Sequence, residues 1–199
     1  IKNRLFQPDL KQRLVISPIL TEEQISNGTI DIRIGTDFII PKRSDAYLFD
    51  PLSTKEMYEA VLKTDKEYIP VGRELYLHPN KVILAGTIEY FHIPFNLTGR
   101  VCARSSYERL GISISTVANP GYRGALTLSL VNSGNTPVVL YPGTRIAQMT
   151  LYTIAVEEPA ADLYDGKYSM EIGPMFSRAH EDKDLKIIER MRLADKILE

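Results

Sequence analysis

One cysteine, no tryptophan and almost no net charge are the scarcities that first narrow this 199-residue chain. Cys102 stands alone, so no intrachain disulfide framework can form, and a reducing cytoplasm is the expected compartment. The same scarcity excludes zinc-dependent nucleobase deaminases, which need a His or Cys followed by a Cys-x-x-Cys pair. His78, His92 and His180 are scattered, so any hydrolysis is expected to run without zinc held by the protein. Lys and Arg number 24 against 25 Asp and Glu, a formal net charge of −1. With no basic excess to release counterions, nucleic acid is not an expected partner. A compact site for one small anion stays open. Apolar runs such as Val82-Ile83-Leu84-Ala85 are far too short to span a bilayer, and no N-terminal stretch reads as a signal peptide. Membrane insertion is not expected.

What is present is strand signal. Thr29-Ile30-Asp31-Ile32-Arg33-Ile34-Gly35 alternates apolar and polar residues with period two, as a half-buried strand does. The pattern recurs at Glu74–Leu77, Lys81–Glu89, Gly99–Ala103, Ala125–Val131, Val138–Leu140 and Arg145–Tyr152. His78-Pro79-Asn80, Asn119-Pro120-Gly121, Ser133-Gly134-Asn135 and Tyr141-Pro142-Gly143 punctuate these strands as turns. Many short strands with little helix between them predict an all-β barrel or jelly roll. Two helices are expected. One is a short surface helix over Thr54–Leu62. The other is amphipathic, over Glu181–Leu198, with Ile187, Met191, Ala194 and Leu198 on one stripe. That stripe suits packing on the chain's own barrel, with a protein partner as the alternative.

The chemistry concentrates in Ala103-Arg104-Ser105-Ser106-Tyr107-Glu108-Arg109-Leu110-Gly111. Two arginines and two hydroxyls entering a helical turn after a strand make a compact anion site. Around it, five stretches in order resemble the motifs of the dCTP deaminase and dUTPase superfamily, from about Leu14 to Arg178. They are Thr29–Gly35; Arg104-Ser105-Ser106-x-x-Arg109-x-Gly111; Asn119-Pro120-Gly121-Tyr122-Arg123-Gly124; Tyr141-Pro142-Gly143-x-Arg145-Ile146-Ala147-Gln148-Met149; and Lys167-Tyr168 with Gly173-Pro174-x-x-Ser177-Arg178. The last of these and the insert at Asp45–Arg73 resemble dCTP deaminases more than simple dUTPases.

The resemblance implies a distorted jelly roll over residues 1–178, with a C-terminal lid at about 159–178 and an appended helix at 179–199. It implies a homotrimer with sites between subunits, and a pyrimidine deoxynucleoside triphosphate carrying Mg²⁺ as ligand. No metal ligand is expected from protein side chains. Arg104, Ser105, Ser106, Gln148, Lys167, Tyr168 and Arg178 would then contact the triphosphate. Val117, Ala118, Asn119 and Tyr122 would hold base and sugar, and Ser105, Arg109, Asn119 and Ser129 would occupy the catalytic positions. A triphosphate needs arginine forks, hydroxyls and a metal to disperse its charge, and a lid to exclude water.

Two positions depart from the family pattern. Ser129 stands where dCTP deaminases place a glutamate, and a neutral hydroxyl cannot shuttle protons between water and ammonia in the same way. Asn119 stands where dUTPases place an aspartate; an amide can bond a sugar hydroxyl but cannot take a proton from water. The hairpin between Gly111 and Asn119 also resembles a shortened form of the deaminase hairpin. Three readings therefore stay open: a metal-independent pyrimidine triphosphate deaminase, a dUTPase-like diphosphatase, and a catalytically silent nucleotide binder. Lineage favours the first, and residue chemistry the third.

Overall fold

Period-two alternation decides the local structure. In β2 (Thr29–Pro41), Ile30, Ile32 and Ile34 are fully buried on one face, and in β9 (Arg123–Asn132) Leu126, Leu128 and Leu130 do the same. Each such side chain contributes about 1.5–3 kcal/mol on burial, enough to hold the strand register. The computed structural model describes residues 1–9, 11–42, 48–52, 64–155 and 166–198. Among them, the remaining strands are β1 (Val15–Ser17), β3 (Thr64–Tyr68), β4 (Leu75–Leu77), β5 (Val82–His92), β6 (Leu97–Ala103), β7 (Ile112–Ser113), β8 (Ser115–Ala118), β10 (Val138–Leu140) and β11 (Arg145–Thr153). The helices are α1 (Lys2–Leu5), α2 (Ser105–Glu108) and α3 (Lys183–Leu198).

The main sheet runs β7-β9-β5-β2-β11-β6-β8, with β1 added against β5, and β4 and β10 form a separate pair. Its two ends, β7 and β8, are separated in the chain by Ile114 alone. A sheet whose first and last strands are consecutive in the chain must curl round on itself, so it forms a nearly closed barrel, within the all-β barrel or jelly-roll class the sequence predicts. Every expected strand is present. β2 continues beyond its expected end at Gly35 because a register shift against β5 falls between Ile34 and Phe38. The bulge breaks the alternation there, although Phe38 and Ile39 return to the core. At this crossing a side chain on Gly35 would meet the Gly86 carbonyl oxygen at 2.6 Å, so only glycine fits.

The chain forms two compact units: Ile1–Ile40 with Lys66–Met175, and Pro41–Asp65 with Phe176–Glu199. The first contains the barrel. The second contains α3, which starts later than expected because Ala179–Glu181 forms a 3₁₀ turn. In α3, Ile187, Ile188 and Met191 are exposed. The helix expected over Thr54–Leu62 lies outside the described residues. No helix among the described residues is long and apolar enough to cross a membrane.

Candidate functional site

Three strands bring one charged cluster together. Asp31 on β2 and Gln148 on β11 are direct cross-strand partners, and Gln148 Nε2 donates to Asp31 Oδ1 at 3.3 Å. Arg104 follows the end of β6, and Arg145 opens β11. Arg104 Nε and Arg145 Nη1 each lie 3.4 Å from Asp31 Oδ2. Arg104 also bonds into β11, donating its backbone N–H to the Ile146 carbonyl at 2.9 Å and Nη1 to the Arg145 carbonyl at 3.2 Å. Arg145 Nη1 donates in turn to the Glu23 carbonyl at 3.2 Å. Asp31 is buried, whereas the two arginine side chains are 34% and 31% exposed. Half-exposed pairs add little to stability, about 0–1 kcal/mol each. Two cations on one carboxylate instead leave a fixed positive excess facing solvent, suited to a polyanion.

Next to this cluster, Arg104 is extended (φ −64°, ψ 143°) and α2 begins directly after it. Ser105 and Ser106 are exposed in its first turn, where backbone N–H groups have no carbonyl partner within the helix. Arg109 closes α2, donating its N–H to the Ser105 carbonyl at 3.1 Å, and is exposed. Of the expected phosphate contacts, Arg104, Ser105, Ser106 and Gln148 thus belong to one neighbourhood.

The remaining expected residues are placed elsewhere. Val117 and Asn119 are exposed on and just after β8, while Ala118 is fully buried opposite Gly99 of β6. Tyr122 is buried, and its hydroxyl donates to the Ala125 carbonyl at 2.7 Å, so its side chain serves the turn into β9. Ser129 is half-buried on β9 opposite Leu84 of β5. β9 and β11 are not neighbours in the hydrogen-bonded order, which places β5 and β2 between them, so Ser129 and Gln148 are not cross-strand partners. Lys167 and Tyr168 lie in a turn closed by Ser169 N–H to the Gly166 carbonyl. From there the tail runs along β9: Met170 N–H donates to the Arg123 carbonyl, Ala125 N–H to the Glu171 carbonyl, and Met175 N–H to Thr127 Oγ1. Gly124, at φ +142°, permits this approach, because a Cβ there would lie 2.9 Å from the Glu171 oxygen. Arg178 belongs to the second unit, with its Nε 4.0 Å from Glu181 Oε1.

Two residues of the charged cluster were not singled out by sequence reasoning. Asp31 and Arg145 both fall inside quoted motif stretches, yet only cross-strand register makes them meet. A charged residue within a period-two strand was the available signal. Glu89, a carboxylate the sequence offers as a substitute proton carrier along with Glu108, is fully buried on β5. Burial pushes its carboxyl up from the ordinary range, while the Arg33 N–H, the Arg33 guanidinium and Gln24 pull it down less strongly.

A family model described as dCTP deaminase-like matches residues 4–154. The chain is 34% identical over 182 residues to a "dCTP deaminase, dUMP-forming" of Methanobrevibacter smithii, covering 87% of this chain and 91% of that protein. It is 35% identical over 189 residues to a dCTP deaminase of Natronomonas pharaonis, covering 92% and 94%. Among solved structures, the 2′-deoxycytidine 5′-triphosphate deaminase of Agrobacterium tumefaciens superposes with a TM-score of 0.51 at 21% identity. That superposition covers 71% of this chain but only 44% of the solved one, and it shows a common fold.

Proposed function

Because the chain belongs to the dCTP deaminase-like family, we propose that it binds a pyrimidine deoxynucleoside triphosphate and deaminates it slowly or not at all. The observation that carries the binding is Asp31 bracketed by Arg104 and Arg145, with Gln148 beside it and Ser105 and Ser106 exposed next to it. The arginines fork onto phosphate oxygens, and the hydroxyls complete the shell. Lys167 and Tyr168 close over the polyphosphate from the tail. Val117 and Asn119 supply the contact to sugar and base, with backbone groups at Ala118 and Tyr122.

Mg²⁺ fits this site as a companion of the triphosphate. A hard cation needs several oxygen ligands, and the carboxylate at hand, Asp31, is already engaged by two guanidiniums and an amide. When bound on the phosphates, the ion would neutralise part of their charge. Asp31 then orients the arginines rather than holding the metal.

Deamination adds water at C4 of cytosine and expels ammonia, which takes a general base and a general acid. Ser129 and Asn119 offer a hydroxyl and an amide. Two other carboxylates could be considered as proton carriers, but Glu89 is fully buried and Glu108 lies exposed on α2. The site is proposed to be completed by a neighbouring copy in a homotrimer, since Ser129 and Gln148 lie on strands that are not paired with each other. The alternatives are a deaminase with a rearranged proton relay and a dUTPase-like diphosphatase. The cytoplasm remains the proposed compartment.

The test is thermal shift with dCTP, dUTP, dTTP, CTP and UTP, each with Mg²⁺, alongside ammonia release from dCTP. At about 100 times Kd a ligand stabilises by roughly 2.7 kcal/mol, a readily seen shift. Silence across the panel would remove the binding claim, and rapid ammonia release would remove the claim of weak turnover.

A further inference from the structure

A second polar cluster lies beneath the first and is not used by the chemistry above. Glu89 Oε1 accepts from Gln24 Nε2 at 2.7 Å, and Glu89 Oε2 accepts from the Arg33 backbone N–H at 3.0 Å. The Arg33 guanidinium lies 3.6 Å from Glu89 Oε1 and donates through Nη1 to Gln24 Oε1 at 2.6 Å. Gln24 Oε1 also accepts the Leu20 N–H at 3.2 Å, and Arg33 Nη2 donates to Thr21 Oγ1 at 3.3 Å. All of Gln24, Arg33 and Glu89 are buried. Both ends of the Gln24 amide are thereby fixed, and with them the 3₁₀ turn Glu22–Gln24.

That turn carries the Glu23 carbonyl, the oxygen to which Arg145 Nη1 donates. Arg33 and Arg145 are also direct cross-strand partners on β2 and β11. The route from Glu89 to the exposed cluster is therefore continuous: Glu89 to Gln24, Gln24 to the Glu23 carbonyl through the turn, and that carbonyl to Arg145. A buried carboxylate would cost stability by itself, so a fully bonded network here implies a requirement for fixed geometry. We infer that Glu89 and Gln24 are positioning residues, which hold the Glu23 carbonyl where it aims the Arg145 guanidinium at a bound polyphosphate. The inference rests on the triphosphate reading of the same site.

Calorimetric titration of the full chain with dCTP, inorganic tripolyphosphate and deoxycytidine tests it, using Gln24→Met, Arg145→Ala and their double variant. Gln24→Met keeps the volume but removes the tether. It should weaken dCTP and tripolyphosphate about tenfold, the equivalent of one well-formed hydrogen bond, and leave deoxycytidine unchanged. In the Arg145→Ala background the same replacement should have no further effect, a non-additivity that general loosening of the fold does not produce. If Gln24→Met does not fold, Glu89→Gln keeps the shape and is read in the same way. Equal weakening of deoxycytidine, or additive losses in the double variant, overturns the positioning role while leaving the binding site intact. If Arg145→Ala alone leaves dCTP binding unchanged, the triphosphate reading falls and this inference falls with it.

Discussion

The barrel carries two polar regions of opposite character. At β2, β11 and the end of β6, charges are dense and mutually bonded: Asp31, Arg104, Arg145 and Gln148 share one carboxylate. In the middle of β9, Thr127 and Ser129 are half-buried and uncharged, and Asn119 before the strand is neutral too. A polyanion can be held by the first region alone. Proton transfer needs groups that change charge near neutral pH, and the second region has none among these residues. Binding and chemistry are thus separable here, each open to being broken on its own.

The largest effect should come from restoring an ionisable group to the neutral region. Ser129→Glu should raise ammonia release from dCTP by about 10²–10⁴-fold, the usual contribution of general acid–base catalysis. Asn119→Asp should do the same for pyrophosphate release from dUTP. If both variants bind triphosphate yet neither gains activity, the difference between the regions is more than missing carboxylates, and the silent-binder reading gains. Next in size is damage to the charged region. Arg104→Ala removes contacts worth about 1.5–3 kcal/mol, so dCTP affinity should fall roughly 10- to 100-fold by calorimetry while ammonia release stays at its already low level. Unchanged affinity would show that Arg104 serves only the β6–β11 junction.

The charged region was only half legible in the sequence, and the reason is geometric. Arg104, Ser105 and Ser106 are contiguous and sit at a strand-to-turn boundary, so local reading finds them. Asp31 and Arg145 meet through β-sheet register, and Gln24 and Glu89 lie 65 positions apart. No period or spacing encodes such meetings. Tyr122 shows the converse: its motif position suggests a ligand contact, while the folded chain spends its hydroxyl on the Ala125 carbonyl. For the fold, alternation located the long strands well. It missed β1, β3, β7 and β8: Val15–Ser17 and Ile112–Ser113 are too short to show a period, Thr64–Tyr68 buries no residue, and Ser115–Ala118 buries only Ala118.

A smaller effect should follow from loosening the tail that runs beside the neutral region. Gly124 combines φ +142° with a 2.9 Å approach to the Glu171 oxygen. Gly124→Ala should cost about 1–3 kcal/mol in backbone strain, lower the melting temperature and speed proteolysis near Lys167. It should weaken the triphosphate less than Arg104→Ala does. Equal weakening would place the tail, not the charged cluster, at the centre of binding.

The smallest effect is on the pH dependence of stability, where two groups near the C-terminal end of β5, buried Glu89 and half-buried His92, act in opposite directions. Glu89 titrates above its ordinary 4.5, chiefly through burial. The folded chain therefore keeps a proton that the unfolded chain has lost, so its contribution is fully present below 4.5 and disappears as pH rises through the raised value. His92 titrates below its ordinary 6.5, first through burial and then through the Arg123 charge. Its contribution is complete above 6.5 and disappears as pH falls through the depressed value. Between those limits the slopes oppose, and the unmodified chain should show a shallow profile in urea unfolding. Glu89→Gln should uncover a stability that rises with pH, and His92→Gln one that falls with pH. A Glu89→Gln profile parallel to that of the unmodified chain would mean that Arg33 and Gln24 outweigh burial and keep Glu89 ionised.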